Sequence, residues 1–115
     1  MLRFAKYIGG KVTINKNSYV EYAKKIKVLT DPKRLEIIDL LSCGDLCACQ
    51  ILEHFHISQP TLSSDMKKLE EAGVVKSRRE GKNIYYSLNK NVLDDICIFI
   101  DQISTESKDC ICRNL

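Results

Sequence analysis

Between residues 49 and 88 the chain runs through two short helical patterns, a tight turn between them and a basic hairpin, and few folds accommodate that order. Ile51, Leu52 and Phe55 recur at helical spacing in a helix expected to begin near Cys49 and to end at the turn His56-Ile57. Ser58 is placed to cap the next helix, where Leu62, Met66 and Leu69 share an inward face, and Gly73 is placed to end it. Two short helices joined in this way make a helix-turn-helix. The period then changes to that of strands over 74–79 and 84–88, around a turn at Glu80-Gly81-Lys82-Asn83. A hairpin directly after such a helix is a wing. The expected fold is mainly α with a small β-hairpin, a winged helix-turn-helix, and homodimeric.

The flanking segments supply the rest of the domain. Ser18 followed by Glu21 predicts a capping box, with Tyr19, Tyr22, Ile26 and Leu29 on one face of a first helix. Asp31 predicts an N-cap with Pro32 at the first helical position, and Leu35, Ile38 and Leu41 form an apolar stripe that stops before Gly44. Asn91 predicts the start of a last helix whose Val92, Leu93, Ile96, Phe99, Ile100 and Ile103 offer more apolar surface than one small core needs. The excess, with the first helix, is expected to pack on a second copy. A twofold dimer would set two recognition helices about one DNA turn apart. Residues 1–17 then form an N-terminal extension, 18–105 the DNA-binding domain and 106–115 a cysteine-containing C-terminal tail.

At 115 residues, 44% of them apolar and 29% charged, the chain is expected to fold as one domain. No apolar stretch approaches the ~20 residues of a membrane span, and no export signal is recognisable, so a cytoplasmic protein is expected. Six cysteines, at 43, 47, 49, 97, 110 and 112, then point to metal or redox chemistry rather than a disulfide framework. The net charge of +3 says little about nucleic acid; the placement of basic groups in Lys24, Lys25, Lys27 and the run 76–82 says more.

The outer face of the recognition helix carries compact donors and acceptors. Ser58, Gln59, Thr61, Ser63 and Ser64 are suited to base edges and the phosphates beside them, and Lys67 to phosphate. The wing adds Arg78, Arg79 and Lys82, beside Lys76, against the single acid Glu80. A polar helix face alone suits plain solvation equally well, and a basic hairpin is often a solubilised edge. Their position next to one another favours DNA.

Cys47-Ala48-Cys49 stands just ahead of this unit. On a helix successive residues turn by roughly 100°, so side chains at i and i+2 diverge and two sulfurs there share one ion only where the backbone is not helical. Capture of a soft ion by both sulfurs is therefore expected to unwind the first turn of the helix. The alternative is that both cysteines are small, inert packing residues.

In the segments Leu29-Thr30-Asp31-Pro32-Lys33-Arg34-Leu35, Leu40-Leu41-Ser42-Cys43-Gly44-Asp45-Leu46-Cys47-Ala48-Cys49, Ser58-Gln59-Pro60-Thr61-Leu62-Ser63 and the wing at 78–86, the chain resembles the ArsR/SmtB family of winged-helix repressors, and within it the arsenic-responsive branch. The resemblance covers about residues 18–105. It implies a homodimer on double-stranded operator DNA that leaves when As(III) or Sb(III) binds, with Cys47 and Cys49 as ligands. Soft thiolates suit such an ion. As(III) typically takes three sulfurs, and where some members carry a further cysteine this chain has Leu52, which leaves the third ligand open: Cys43 can fold back or only pack, and Cys110 and Cys112 can complete this site, form a second or do neither. The pattern used by zinc-sensing relatives is absent: Asp95-Ile96-Cys97 occupies the comparable stretch and no His follows His56. Cys97 is read as dimer core, and His54 and His56 as surface or packing residues. Ser64-Asp65 replaces the two histidines of many relatives, and Asp65, which would repel phosphate, is given no DNA role. No catalytic cofactor and no enzymatic activity are expected. The alternatives are a repressor triggered by thiol oxidation, and a metalloid buffer or redox enzyme that does not bind DNA, for which no C-x-x-C, cofactor loop or acid/base pair is present.

Overall fold

The computed structural model describes residues 11–105. Among them are five helices and three strands: α1 (Lys16–Lys27), α2 (Pro32–Leu41), β1 (Leu46–Cys47), α3 (Ala48–His54), α4 (Gln59–Glu71), β2 (Val75–Glu80), β3 (Asn83–Leu88) and α5 (Lys90–Ser104). The helix-turn-helix is α3–α4 and the wing is β2–β3. No helix among these residues is long and apolar enough to cross a membrane.

Ser58 caps α4 by accepting from the Thr61 N–H, and Leu62, Met66 and Leu69 point into the core, as their spacing requires. At the other end Gly73 takes a φ of 78°, a left-handed conformation that costs glycine little. The Gly73 N–H donates to the Glu70 carbonyl and the Val74 N–H to the Leu69 carbonyl, both at 2.9 Å, which closes the helix in a Schellman motif and aims the chain into the wing. In the wing, Glu80 pairs with Asn83, leaving Gly81 (φ 61°) and Lys82 as the two turn residues.

The main core is built from Ile37 and Leu41 of α2, Ile51 of α3, Leu62, Met66 and Leu69 of α4, and Val74, Val75 and Tyr86 beneath the wing. Burying each large aliphatic side chain contributes about 1.5–3 kcal/mol. A second cluster joins α1 to α5, with Tyr22 stacked on Phe99 at 4.3 Å between ring centroids and Ile96 beside them.

Four expectations are corrected. The first helix starts earlier: Asn15 is its N-cap, accepting from the Asn17 and Ser18 N–H groups, and Ser18 is the N3 partner whose Oγ accepts from the Asn15 N–H at 3.0 Å. In α2 the buried pair is Ile37 and Leu41, one helical turn apart, which turns Leu35 out to 50% exposure. The last helix is capped at Asn89 rather than Asn91. A third strand, β1, pairs antiparallel with β3 (Leu46 with Tyr86, Cys47 with Tyr85), giving the sheet order β1-β3-β2. A two-residue strand is too short to show a period.

Candidate nucleic-acid interface and thiol pair

Cys47 ends β1 and is the N-cap of α3, with extended backbone angles (φ −80°, ψ 158°). Its N–H donates to the Gln50 side-chain carbonyl at 2.9 Å, which fixes the chain entry. Cys49 is the second residue of the helix, so the bend at the cap brings its sulfur back toward that of Cys47, and the two are joined in a disulfide with Cα atoms 5.4 Å apart. Cys47 is buried and Cys49 exposed. The sulfurs meet where the backbone is not helical, as the spacing requires: Cys47 is extended and lies just outside α3, which is wound from Ala48 to His54 in this disulfide-bonded form.

Once reduced, two soft thiolates at one point suit a thiophilic ion, although among the described residues no group of three or more His, Cys, Asp or Glu gathers as a metal site, here or elsewhere. Cys43 is free and exposed, and Cys97 is free and partly buried on α5. Cys110 and Cys112 lie outside the described residues. Beside Cys49 is a cavity of about 260 Å³ whose other walls are Ala48 and Leu52 of α3, Gln59 of α4, and Lys82, Asn83 and Ile84 of the wing.

Ser58, Gln59, Thr61, Ser63, Ser64 and Lys67 are all exposed on α4 and its cap. Ser58 and Thr61 hydroxyls hydrogen-bond each other at 2.8 Å, so both are held in place before any ligand arrives. Asp65, on the same helix, turns inward instead. Arg34 Nη1 donates to its Oδ1 at 3.2 Å while Arg34 Nε donates to the Val28 carbonyl at 2.6 Å. Lys33 Nζ stands 2.8 Å from Oδ2 but off hydrogen-bonding geometry, so charge rather than an aligned bond holds that oxygen. This clamp fastens the recognition helix to α2.

In the wing, Arg78, Arg79 and Lys82 are exposed, but Arg78 is engaged. It reaches Glu80 at 2.9 Å and Asp45 at 2.5 Å, and its guanidinium lies 5.1 Å from the centre of the Tyr85 ring. The hydrogen bonds that Arg78 donates, to Glu80 first and then to Asp45, hold the guanidinium above its ordinary pKa. Arg78 and Cys47 both oppose Tyr85 in the sheet, so the three residues form one row across it. Sequence reasoning missed Asp45, the Asp65 clamp and the cavity. Only the acidic residues themselves were visible, with nothing to pair them across 31 or 33 positions.

Comparison with known proteins agrees with this geometry. Residues 31–77 match the family model described as "Bacterial regulatory protein, arsR family". The chain is 49% identical to the arsenical resistance operon repressor of Staphylococcus aureus, over 85% of this chain and 94% of that protein. It is 51% identical to that of Staphylococcus xylosus, with the same shares covered. A crystal structure described as a possible transcriptional regulator for arsenical resistance superimposes with a TM-score of 0.66 at 25% identity, over 80% of this chain and 96% of the other. By its sequence and its winged helix-turn-helix alike, the chain belongs to the ArsR family of bacterial transcriptional regulators, which are not enzymes.

Proposed function

We propose that this protein represses an arsenical-resistance operon, sitting on operator DNA as a homodimer and leaving it when As(III) or Sb(III) is held by the reduced thiols of Cys47 and Cys49. The observation that carries the reading is the placement of those sulfurs. They converge at the junction of β1 and α3, β1 pairing directly with β3 of the wing and α3 standing one helix ahead of the recognition helix. A bound ion there acts on both DNA-reading elements at once.

Gln59, Thr61, Ser63 and Ser64 are the candidates for the major groove, with Ser58, Lys67, Arg79 and Lys82 for the backbone and Arg78 available once its acidic partners release it. The dimer uses the apolar side chains around the α1–α5 contact: Tyr19, Val20, Ile100 and Ile103 are each about half exposed, an uncommon cost for one small chain in water. A shift in operator affinity of about a hundredfold requires only ~2.7 kcal/mol of coupling between the sites. Operator release by As(III), followed by fluorescence anisotropy, tests the assignment: wild type is expected to dissociate and a Cys47→Ser, Cys49→Ser variant to stay bound.

The joined sulfurs favour a second reading in which oxidation is the trigger. Two thiols and one peroxide give the disulfide and two waters, and a dithiol reverses the change. Release by peroxide in the absence of metalloid supports this reading, and indifference to peroxide removes it.

A further inference from the structure

We propose that the groove between α1 and α4 is a second ligand site, apart from the thiol pair, and that it takes a small amphiphilic monoanion: one carboxylate on a short apolar body. No cysteine lines it. Its occupancy by such an acid does not depend on the repressor reading above; its effect on operator DNA does.

The groove encloses about 670 Å³, within the ~300–1,000 Å³ of ordinary small-molecule sites. Asn17, Glu21, Lys24 and Val28 line it at i, i+4, i+7 and i+11, the side of α1 opposite Tyr22. The stacking of Tyr22 on Phe99 therefore leaves this side uncovered by α5. Lys68, Glu71 and Ala72 face it from the end of α4. Between Asn17 and Val28 the groove runs about 16 Å along α1. A helix of that length, ~10 Å across, fills on the order of 1,200 Å³, nearly twice the space, so a helix of a second copy does not fit inside. An extended peptide finds no strand edge to join, because both walls are helices. The space suits a small molecule.

Charge selects the chemistry of the occupant. Lys25 is engaged, 3.3 Å from Glu21 and 4.9 Å from the centre of the Tyr22 ring. Lys24 and Lys68, on opposite walls, form no ion pair among the described residues, and their ammonium groups can close on one carboxylate. Glu71 also lines the groove, and the carbonyl end of α4 lies there, which favours a single negative charge over a phosphate or a dianion. Val20, 57% exposed, offers with Val28 and Ala72 an apolar surface that a carbon body covers. The other end of α4 carries the proposed DNA-reading side chains. An occupant that bridges α1 and α4 therefore biases the seat of the recognition helix, and Val20 joins it to the proposed subunit contact as well.

The test uses the full reduced chain and octanoate as the probe, with octanol and octylamine as controls, read by calorimetry and by amide chemical shifts. Octanoate is expected to bind with a Kd below about 1 mM and to move the amides of 17–28 and 68–72, with octanol and octylamine at least about tenfold weaker. Lys24→Glu with Lys68→Glu changes two exposed side chains, so the fold is kept; it should weaken octanoate about tenfold or more and leave octanol as it was. Saturating octanoate is expected to change the operator affinity of wild type by about threefold or more and that of the double variant not at all. No binding of octanoate, octanol binding as tightly, shifts centred instead on Tyr19, Ile100 and Ile103, or undiminished affinity in the double variant overturns the site. Binding that leaves operator affinity unchanged overturns its coupling to α4. If octanoate binds as expected and the protein binds no operator DNA, the site stands and the repressor reading has failed.

Discussion

Arg78 of the wing and Asp45, which leads into β1, form an ion pair of 2.5 Å across 33 positions of sequence. The pair ties β2 to the segment that carries Cys47, and it engages a cation of the proposed DNA surface. Both side chains are exposed, so phosphate competes with Asp45 on nearly even terms.

Asp45→Asn is therefore expected to strengthen operator binding by about two- to fivefold and to steepen its dependence on salt by up to about one phosphate contact. It also loosens the wing from the thiol pair, so the affinity lost on adding As(III) shrinks. Anisotropy titrations across a range of salt concentrations, with and without As(III), check both effects.

Asp65 holds α4 to α2 through Lys33 and Arg34. Asp65→Ala leaves two partly buried cations without their carboxylate and is expected to cost about 2 kcal/mol, with a fall in Tm of roughly 5–10 °C. Thermal and urea unfolding read this directly. Because Asp65 points away from the proposed DNA face, the salt slope of residual operator binding should stay that of wild type.

Ile100 and Ile103 lie about half exposed on α5, beside the Tyr22–Phe99 stack. Changing both to Glu puts charge into the proposed subunit contact. The expected outcome is a folded monomer by sedimentation whose operator affinity has collapsed, since one recognition helix then reads one half-site. A variant that remains dimeric moves the interface elsewhere.

Lys67→Ala and Lys82→Ala are each expected to weaken binding to every sequence alike and to lower the salt slope by about 0.9. Gln59→Ala should instead relax preference at one base position, at a cost of about 1–3 kcal/mol for the preferred base. Binding measured on an operator library separates the two behaviours.

The helices and the wing were legible because each has its own local signal: Asp31-Pro32 at a helix start, the Leu62, Met66, Leu69 spacing, Gly73 and the Gly81-Lys82 turn. The exposed polar face of α4 was legible for the same reason, as the remainder of an amphipathic helix. What escaped depends on distance in sequence. The two residues of β1 have no period of their own and become a strand only because Tyr85 and Tyr86 lie beside them. Asp65 read as a misplaced acid because its cations are 31 and 32 positions away. The sulfur spacing required non-helical backbone where the pair meets, and Cys47 supplies it as the extended cap residue just outside α3; that the helix starts one residue later, at Ala48, had no signal in the sequence.

The most direct test of the account is the release of operator DNA by As(III), measured in parallel for reduced wild type and for the Cys47→Ser, Cys49→Ser variant. Wild type should lose affinity by about a hundredfold or more, and the variant should bind as tightly as uninduced wild type and ignore the metalloid. Equal release of both proteins would contradict the central claim that these two sulfurs form the sensor.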